Sequence, residues 1–198
     1  RDGRILGENT DVEGVRRALR RVFPDQKIPS AVNALVLGGG GAARAACLAL
    51  LKDGARVCIA PRTKQRIKDF AAHWGIPVLP LSSKTMRLVR PRILVHATSV
   101  GSVIEEEDSP AYCLVEQDDI LPGSVVLDMV YRPARTVLLD RAERAGAIPL
   151  SGLWMFLHQA MLQIEHVLGR SLQVSGVQPL SLLLGPEGRD LRSFARSR

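Results

Sequence analysis

Four consecutive glycines, Gly38-Gly39-Gly40-Gly41, separate the apolar run Ala34-Leu35-Val36-Leu37 from an Ala/Leu-rich stretch that stops at Gly54. The spacing Gly38-x-Gly40-x-x-Ala43 is a dinucleotide-binding fingerprint, with alanine in the permitted third place. The first glycine allows a sharp turn, the second lets backbone approach a pyrophosphate, and the small third residue lets the helix pack close to the sheet. Amide hydrogens at the start of the following helix, aided by its dipole, would face phosphates. The alternative is a tight structural turn of an α/β sheet. An NAD site usually carries an acid about 20 residues further on, for the ribose 2′-hydroxyl. Here that region reads Pro61-Arg62-Thr63-Lys64-Gln65-Arg66, with no acid. Arg62 and Arg66 stand one helical turn apart, so both can meet one anion, and Thr63 adds a hydroxyl. Two guanidiniums favour a 2′-phosphate and hence NADP; a solvated basic helix start is the plainer reading.

Other chemistry-bearing residues are fewer. Asp11 falls in the first turn of an expected helix, where the dipole favours an acid whatever its role. Thr10 and Glu13 have capping-box spacing. Cys47, Cys58 and Cys113 are odd in number and lack Cys-x-x-Cys spacing, which points to reduced thiols in the cytoplasm and to no metal site. His73, His96, His158 and His166 have no metal-ligand spacing.

Positioning these residues requires alternating strands and helices. Strands are expected at Ala34–Leu37, Arg56–Ala60, around Val78, at Ile93–Ala97, Val125–Met129 and Ile148–Leu150. Helices are expected at Ala42–Lys52, Lys64–Trp74 and Thr136–Ala145, with a turn or two of helix at Ser83–Val89. That order predicts an α/β, Rossmann-type, doubly wound parallel sheet of about six strands with flanking helices and ligands at the strands' carboxyl ends. A first helix shows the stripe Val12, Val15, Leu19 and Val22. A last one, Gly152 to Leu168, shows Leu153, Phe156, Leu157, Ala160, Met161, Ile164 and Leu168 on one face, with Gln159 and Gln163 beside it as apparent surface glutamines. The expected divisions are 1–23 (a segment and helix), 24–150 (the nucleotide-binding domain, opened by a Pro-containing linker at Pro24–Asn33), 151–170 (the last helix) and 171–198 (a tail). Asp2-Gly3 reads as a turn, Ile104–Asp119 as irregular, and Val177–Leu184 as a short packed element.

Composition narrows the function classes. Hydrophobic residues make up 46% and charged ones 24%, as in a globular protein with an ordinary core. No apolar stretch is long enough to span a membrane. The net charge of +7 is scattered, and aromatics are only 4%, which argues against a nucleic-acid surface and for attraction of an anionic small molecule.

Several stretches together resemble the C-terminal part of the shikimate dehydrogenases, the NADP-dependent shikimate/quinate dehydrogenase family. They are Gly7-Glu8-Asn9-Thr10-Asp11, Gly38 to Arg44, Arg62-Thr63, Ala97-Thr98-Ser99-Val100-Gly101, Asp128-Met129-Val130-Tyr131-Arg132-Pro133 with Thr136, and Ser151-Gly152-Leu153-Trp154-Met155 through Gln159. The resemblance covers about Gly3 to Arg170 and implies NADPH-linked reversible reduction of 3-dehydroshikimate to shikimate, in aromatic amino-acid (chorismate) biosynthesis. It implies a catalytic and substrate-binding role for Asp11, with Tyr131 and Gln159 as further substrate contacts. Gly38, Gly39, Gly40, Gly41 and Ala42 would hold the pyrophosphate, and Arg62, Thr63 and Arg66 the 2′-phosphate. Met129 and Gly152 would lie beside the nicotinamide. The implied partners are the small-molecule substrate and a substrate domain or a second copy of the chain, with no nucleic acid or membrane, in the cytoplasm.

The chain departs from the family at several points. The family's catalytic lysine precedes its Asn-Thr-Asp motif, in a substrate domain expected to be missing here. Lys27, Lys52, Lys64, Lys68 and Lys84 all follow Asp11 in unmatched contexts, so the chain alone is expected to be inactive. Pro61 and His96 stand where the family commonly has asparagine, and Ser151 where it has aspartate. A quinate/shikimate dehydrogenase relative and a non-catalytic NADP-binding module remain the alternatives.

Overall fold

A computed structural model describes residues 7–102, 113–169 and 171. The Asp2-Gly3 turn, the first part of the Ile104–Asp119 segment and the Val177–Leu184 element lie outside them. Five parallel strands form one sheet: β1 (Asn33–Leu37), β2 (Arg56–Ala60), β3 (Ile93–His96), β4 (Val125–Asp128) and β5 (Ile148–Ser151), in the order β2-β1-β3-β4-β5. β1, β3 and β4 are almost wholly apolar because helices cover both faces, as a parallel sheet requires.

The expected strand at Val78 is the one correction to the sheet. Val78 makes only an isolated parallel bridge to Ile59. Ile59 N–H donates to the Pro77 carbonyl and Leu79 N–H to the Ile59 carbonyl. Pro77 has no amide hydrogen to offer the Val57 carbonyl, and Pro61 none to offer the Leu79 carbonyl, so the ladder cannot lengthen on either side.

The helices are α1 (Thr10–Arg20), α2 (Gly41–Lys52), α3 (Lys68–His73), α4 (Ser83–Val89), α5 (Val137–Arg144) and α6 (Gly152–Leu168). The helix expected from Lys64 to Trp74 divides into a 3-10 turn, Lys64–Arg66, and α3. Four helices begin on a capping side chain: Asn9 for α1, Ser82 for α4, Thr136 for α5 and Ser151 for α6. Asn9, not Thr10, therefore caps α1; Thr10 is already helical, and its hydroxyl turns to α6.

One core, on the side of α1, α2 and α6, contains Val15, Leu19, Val36, Leu50 and Ile59; the other, beneath α4 and α5, contains Leu35, Leu37, Leu94 and Leu138. The Val12, Val15 and Leu19 stripe is buried, packed with α2 and α6. The expected apolar face of α6 needs revision. Leu153, Met155, Leu157 and Leu162 are buried, whereas Phe156, Ile164 and Leu168 are exposed. The inward face rotated because α1 crosses α6 closely at Gly14, whose missing side chain leaves room for Met155 and Gln159. The linker is tied down at Ile28, which is buried, and at Ala31, whose amide donates to the Gly54 carbonyl at 2.8 Å.

Candidate functional site

At the carboxyl ends of β1, β2 and β3 lies a cleft of about 560 Å³. Gly38, Gly39, Gly40, Gly41 and Ala42 form its floor, with Arg62, Thr63 and Arg66 at one end and Thr98, Val100 and Met129 at the other. Gly38 sits at φ +125°, and a Cβ there would stand 2.4 Å from the Ala97 carbonyl oxygen. Only glycine fits this close approach of β1 to the end of β3. At Gly40 and Gly41 a Cβ would meet nothing within 4 Å, so bare backbone borders open space.

α2 begins at this floor without a side-chain cap. Its first amides are thereby left for a ligand, and its dipole favours an anion. Arg62, Thr63 and Arg66 are exposed, and among the described residues no carboxylate lines the cleft. Arg44, from α2, donates to the Arg66 carbonyl at 2.7 Å, which fixes the turn that carries both cations. These features match a phosphorylated nucleotide: glycine backbone for a pyrophosphate and paired guanidiniums for a further phosphate.

Gly152 does not line the cleft. It opens α6 against the end of β4, and a Cβ there would fall 2.5 Å from the Met129 carbonyl. Asp11, Tyr131 and Gln159 also lie outside the lining. Thr10 is 3.4 Å from Gln159 Oε1, and Gln163 donates to Gln159 at 2.8 Å, so the turn bearing Asp11 adjoins the middle of α6. Tyr131 stacks on Phe156, with ring centroids 4.8 Å apart.

His96, noted in the sequence as a departure from the family, and Thr98, Asp128 and Thr136, quoted there only as motif residues, form a buried polar chain at the far end of the cleft that the sequence did not show as one unit. His96 Nδ1 lies 2.8 Å from Asp128 Oδ1, and both side chains are at most 3% exposed. Thr136 donates to Asp128 Oδ2 at 2.6 Å, and Val130 N–H to Oδ1 at 3.1 Å. Thr98 Oγ1 is 2.5 Å from His96 Nε2 and accepts from Val100 N–H at 3.2 Å. The available signal was register: apolar β3 and β4 each end in one polar residue, and these two residues pair across the sheet.

Elsewhere, Asp53 binds Arg16 (2.8 Å) and Arg20 (2.5 Å). Burial pushes its carboxyl upward, but those hydrogen bonds and charges outweigh burial and hold it below the usual range. All three cysteines are free, and burial raises each thiol, Cys47 to about 12, so none is an activated nucleophile. Among the described residues no metal-binding cluster occurs, and no helix is long and apolar enough to cross a membrane.

Fold and cleft define a Rossmann-type nucleotide-binding unit. No family model matches the sequence. The chain is 35% identical over 172 residues to the NADP(+) shikimate dehydrogenase of Shouchella clausii, covering 85% of this chain and 61% of that protein. It is 38% identical over 172 residues to that of Halobacterium salinarum, covering 87% and 62%. The crystal structure of Thermus thermophilus shikimate 5-dehydrogenase, in complex with NADP(H) and shikimate, superposes with a TM-score of 0.71 at 34% identity, covering 87% and 61%. The chain thus resembles the C-terminal part of the shikimate dehydrogenases, as its motifs indicate, and spans about three-fifths of the length of these relatives.

Proposed function

We propose that the chain is the nucleotide-binding part of an NADP-dependent shikimate dehydrogenase, serving the reversible reduction of 3-dehydroshikimate to shikimate. The observation that carries this reading is the meeting, in one cleft with no carboxylate among its described lining residues, of the glycine turn, the uncapped start of α2 and the Arg62–Thr63–Arg66 group. Gly38 to Ala42 would hold the pyrophosphate and Arg62, Thr63 and Arg66 the 2′-phosphate. Met129 would border the nicotinamide end, with Gly152 behind it keeping α6 close to β4. When bound, the nicotinamide supplies the hydride; the protein supplies orientation.

Asp11 and Gln159 would engage the substrate hydroxyls, with Tyr131 alongside; the proximity of Thr10 to Gln159 supports their acting at one site. The exposed Phe156 and Ile164 would adjoin a substrate domain, consistent with the greater length of the relatives. Three free cysteines fit a cytoplasmic setting.

Calorimetry with NADP and NAD tests the assignment. NADP should bind more tightly, and replacing Arg62 and Arg66 by alanine should remove about 1.5–3 kcal/mol per charged hydrogen bond lost. Equal affinities, unchanged in the double variant, would refute it.

A further inference from the structure

With the His96 ring neutral, the polar chain at the ends of β3 and β4 has one consistent set of hydrogen-bond directions. Asp128 receives the Thr136 hydroxyl on one oxygen and the Val130 amide on the other. A carboxylate offers only acceptors, so His96 Nδ1 must carry the hydrogen that faces Asp128. In the neutral ring Nε2 is then an acceptor, and the Thr98 hydroxyl donates to it across 2.5 Å. Val100 N–H occupies one lone pair of the same hydroxyl oxygen. The Thr98 hydrogen is therefore turned into the protein, and what Thr98 retains for the cleft is acceptor capacity alone.

We propose that His96 is a positioning residue that makes Thr98 a hydrogen-bond acceptor and so selects a donor group on the ligand. The inference rests on the nucleotide reading of the cleft. With the sheet order β2-β1-β3-β4, a dinucleotide whose 2′-phosphate sits at Arg62 and Arg66 beyond β2, and whose pyrophosphate sits on the glycine turn after β1, carries its second nucleoside toward β3 and β4. Thr98 lies there, its Cγ2 3.4 Å from the position of a Cβ on Gly38. The matching donors on that nucleoside are its ribose hydroxyls and carboxamide N–H₂. A phosphate oxygen, which needs a donor, is disfavoured by this end of the cleft.

The test compares NADP with adenosine 2′,5′-bisphosphate, which lacks the second nucleoside, by calorimetry on the 198-residue chain. In His96→Asn the amide nitrogen can replace Nδ1 toward Asp128, but nothing reaches Thr98; Thr98→Val removes the hydroxyl and keeps the shape. Each variant should weaken NADP about 5- to 10-fold, the net worth of one hydrogen bond, and leave the bisphosphate within about 2-fold. The double variant should be no weaker than Thr98→Val alone, because His96 acts through Thr98. Equal losses for both nucleotides, no loss for either, or additive losses in the double variant would overturn the inference while leaving the nucleotide site standing. Failure of the unsubstituted chain to bind NADP would overturn both.

Discussion

Lowering the pH from 7 to 5 should destabilise the fold through His158. This ring, on α6, faces α1, and its Nε2 is buried without a hydrogen-bond partner among the described residues. Burial, then the charges of Arg21 and Arg17, lower its pKa to about 4; Glu13 opposes them weakly. Arg21 also lies 3.6 Å over the Trp154 ring, one turn before His158, which keeps a fixed cation nearby. A group neutral in the fold to about pH 4, but titrating near 6.5 when unfolded, gives the unfolded chain the greater proton uptake between those values. Stability is therefore whole above about pH 6.5 and falls as the pH drops toward 4. Full linkage over pH 7 to 5 is about 2 kcal/mol, and screening of the partly exposed ring reduces the expectation to about 1 kcal/mol. Urea denaturation at pH 7, 6 and 5 measures it, with His158→Leu as the control that lacks the titrating group. Equal losses in both proteins would refute the reasoning. Asp53 does not interfere: its depressed carboxyl stabilises at all pH above the ordinary carboxylate range and loses that effect only at lower pH.

Further outcomes follow from single contacts. Gly152→Ala places a Cβ 2.5 Å from the Met129 backbone, so α6 must shift from β4; thermal melts should show a loss of about 1–3 kcal/mol. Asp53→Asn weakens the Arg16 and Arg20 pairs that tie α1 to the end of α2, and a loss of about 1–3 kcal/mol in urea titration is expected, largely from cations left without their counter-charge.

The glycine turn and its cations were legible because phosphate recognition uses local spacing: Gly38 to Ala42 are consecutive, and Arg62 and Arg66 are four residues apart. The strands were legible as apolar runs between breakers, except near Val78, where two prolines set a limit that the hydrophobic pattern does not express. The inward face of α6 was misjudged because helical periodicity places residues on a circle without saying where the neighbour stands. Gly14 brings α1 onto the side of Met155, and Phe156 is turned outward. His96, Thr98, Asp128 and Thr136 became one unit only through the pairing of β3 with β4, a contact between residues 32 apart in sequence.

The crossing of α1 and α6 joins the first described helix to the last, with Thr10 meeting Gln159 across 149 residues. Emerging from the ribosome, α1 can rest on α2 early, but its contact with α6 must wait until the whole sheet has been synthesised. Loop closure over that distance is entropically dear and makes the final docking a late, non-local event in folding. Until α6 arrives, the α1 face around Gly14 is uncovered, and the nascent chain carries an unfinished seam of the kind that chaperones engage.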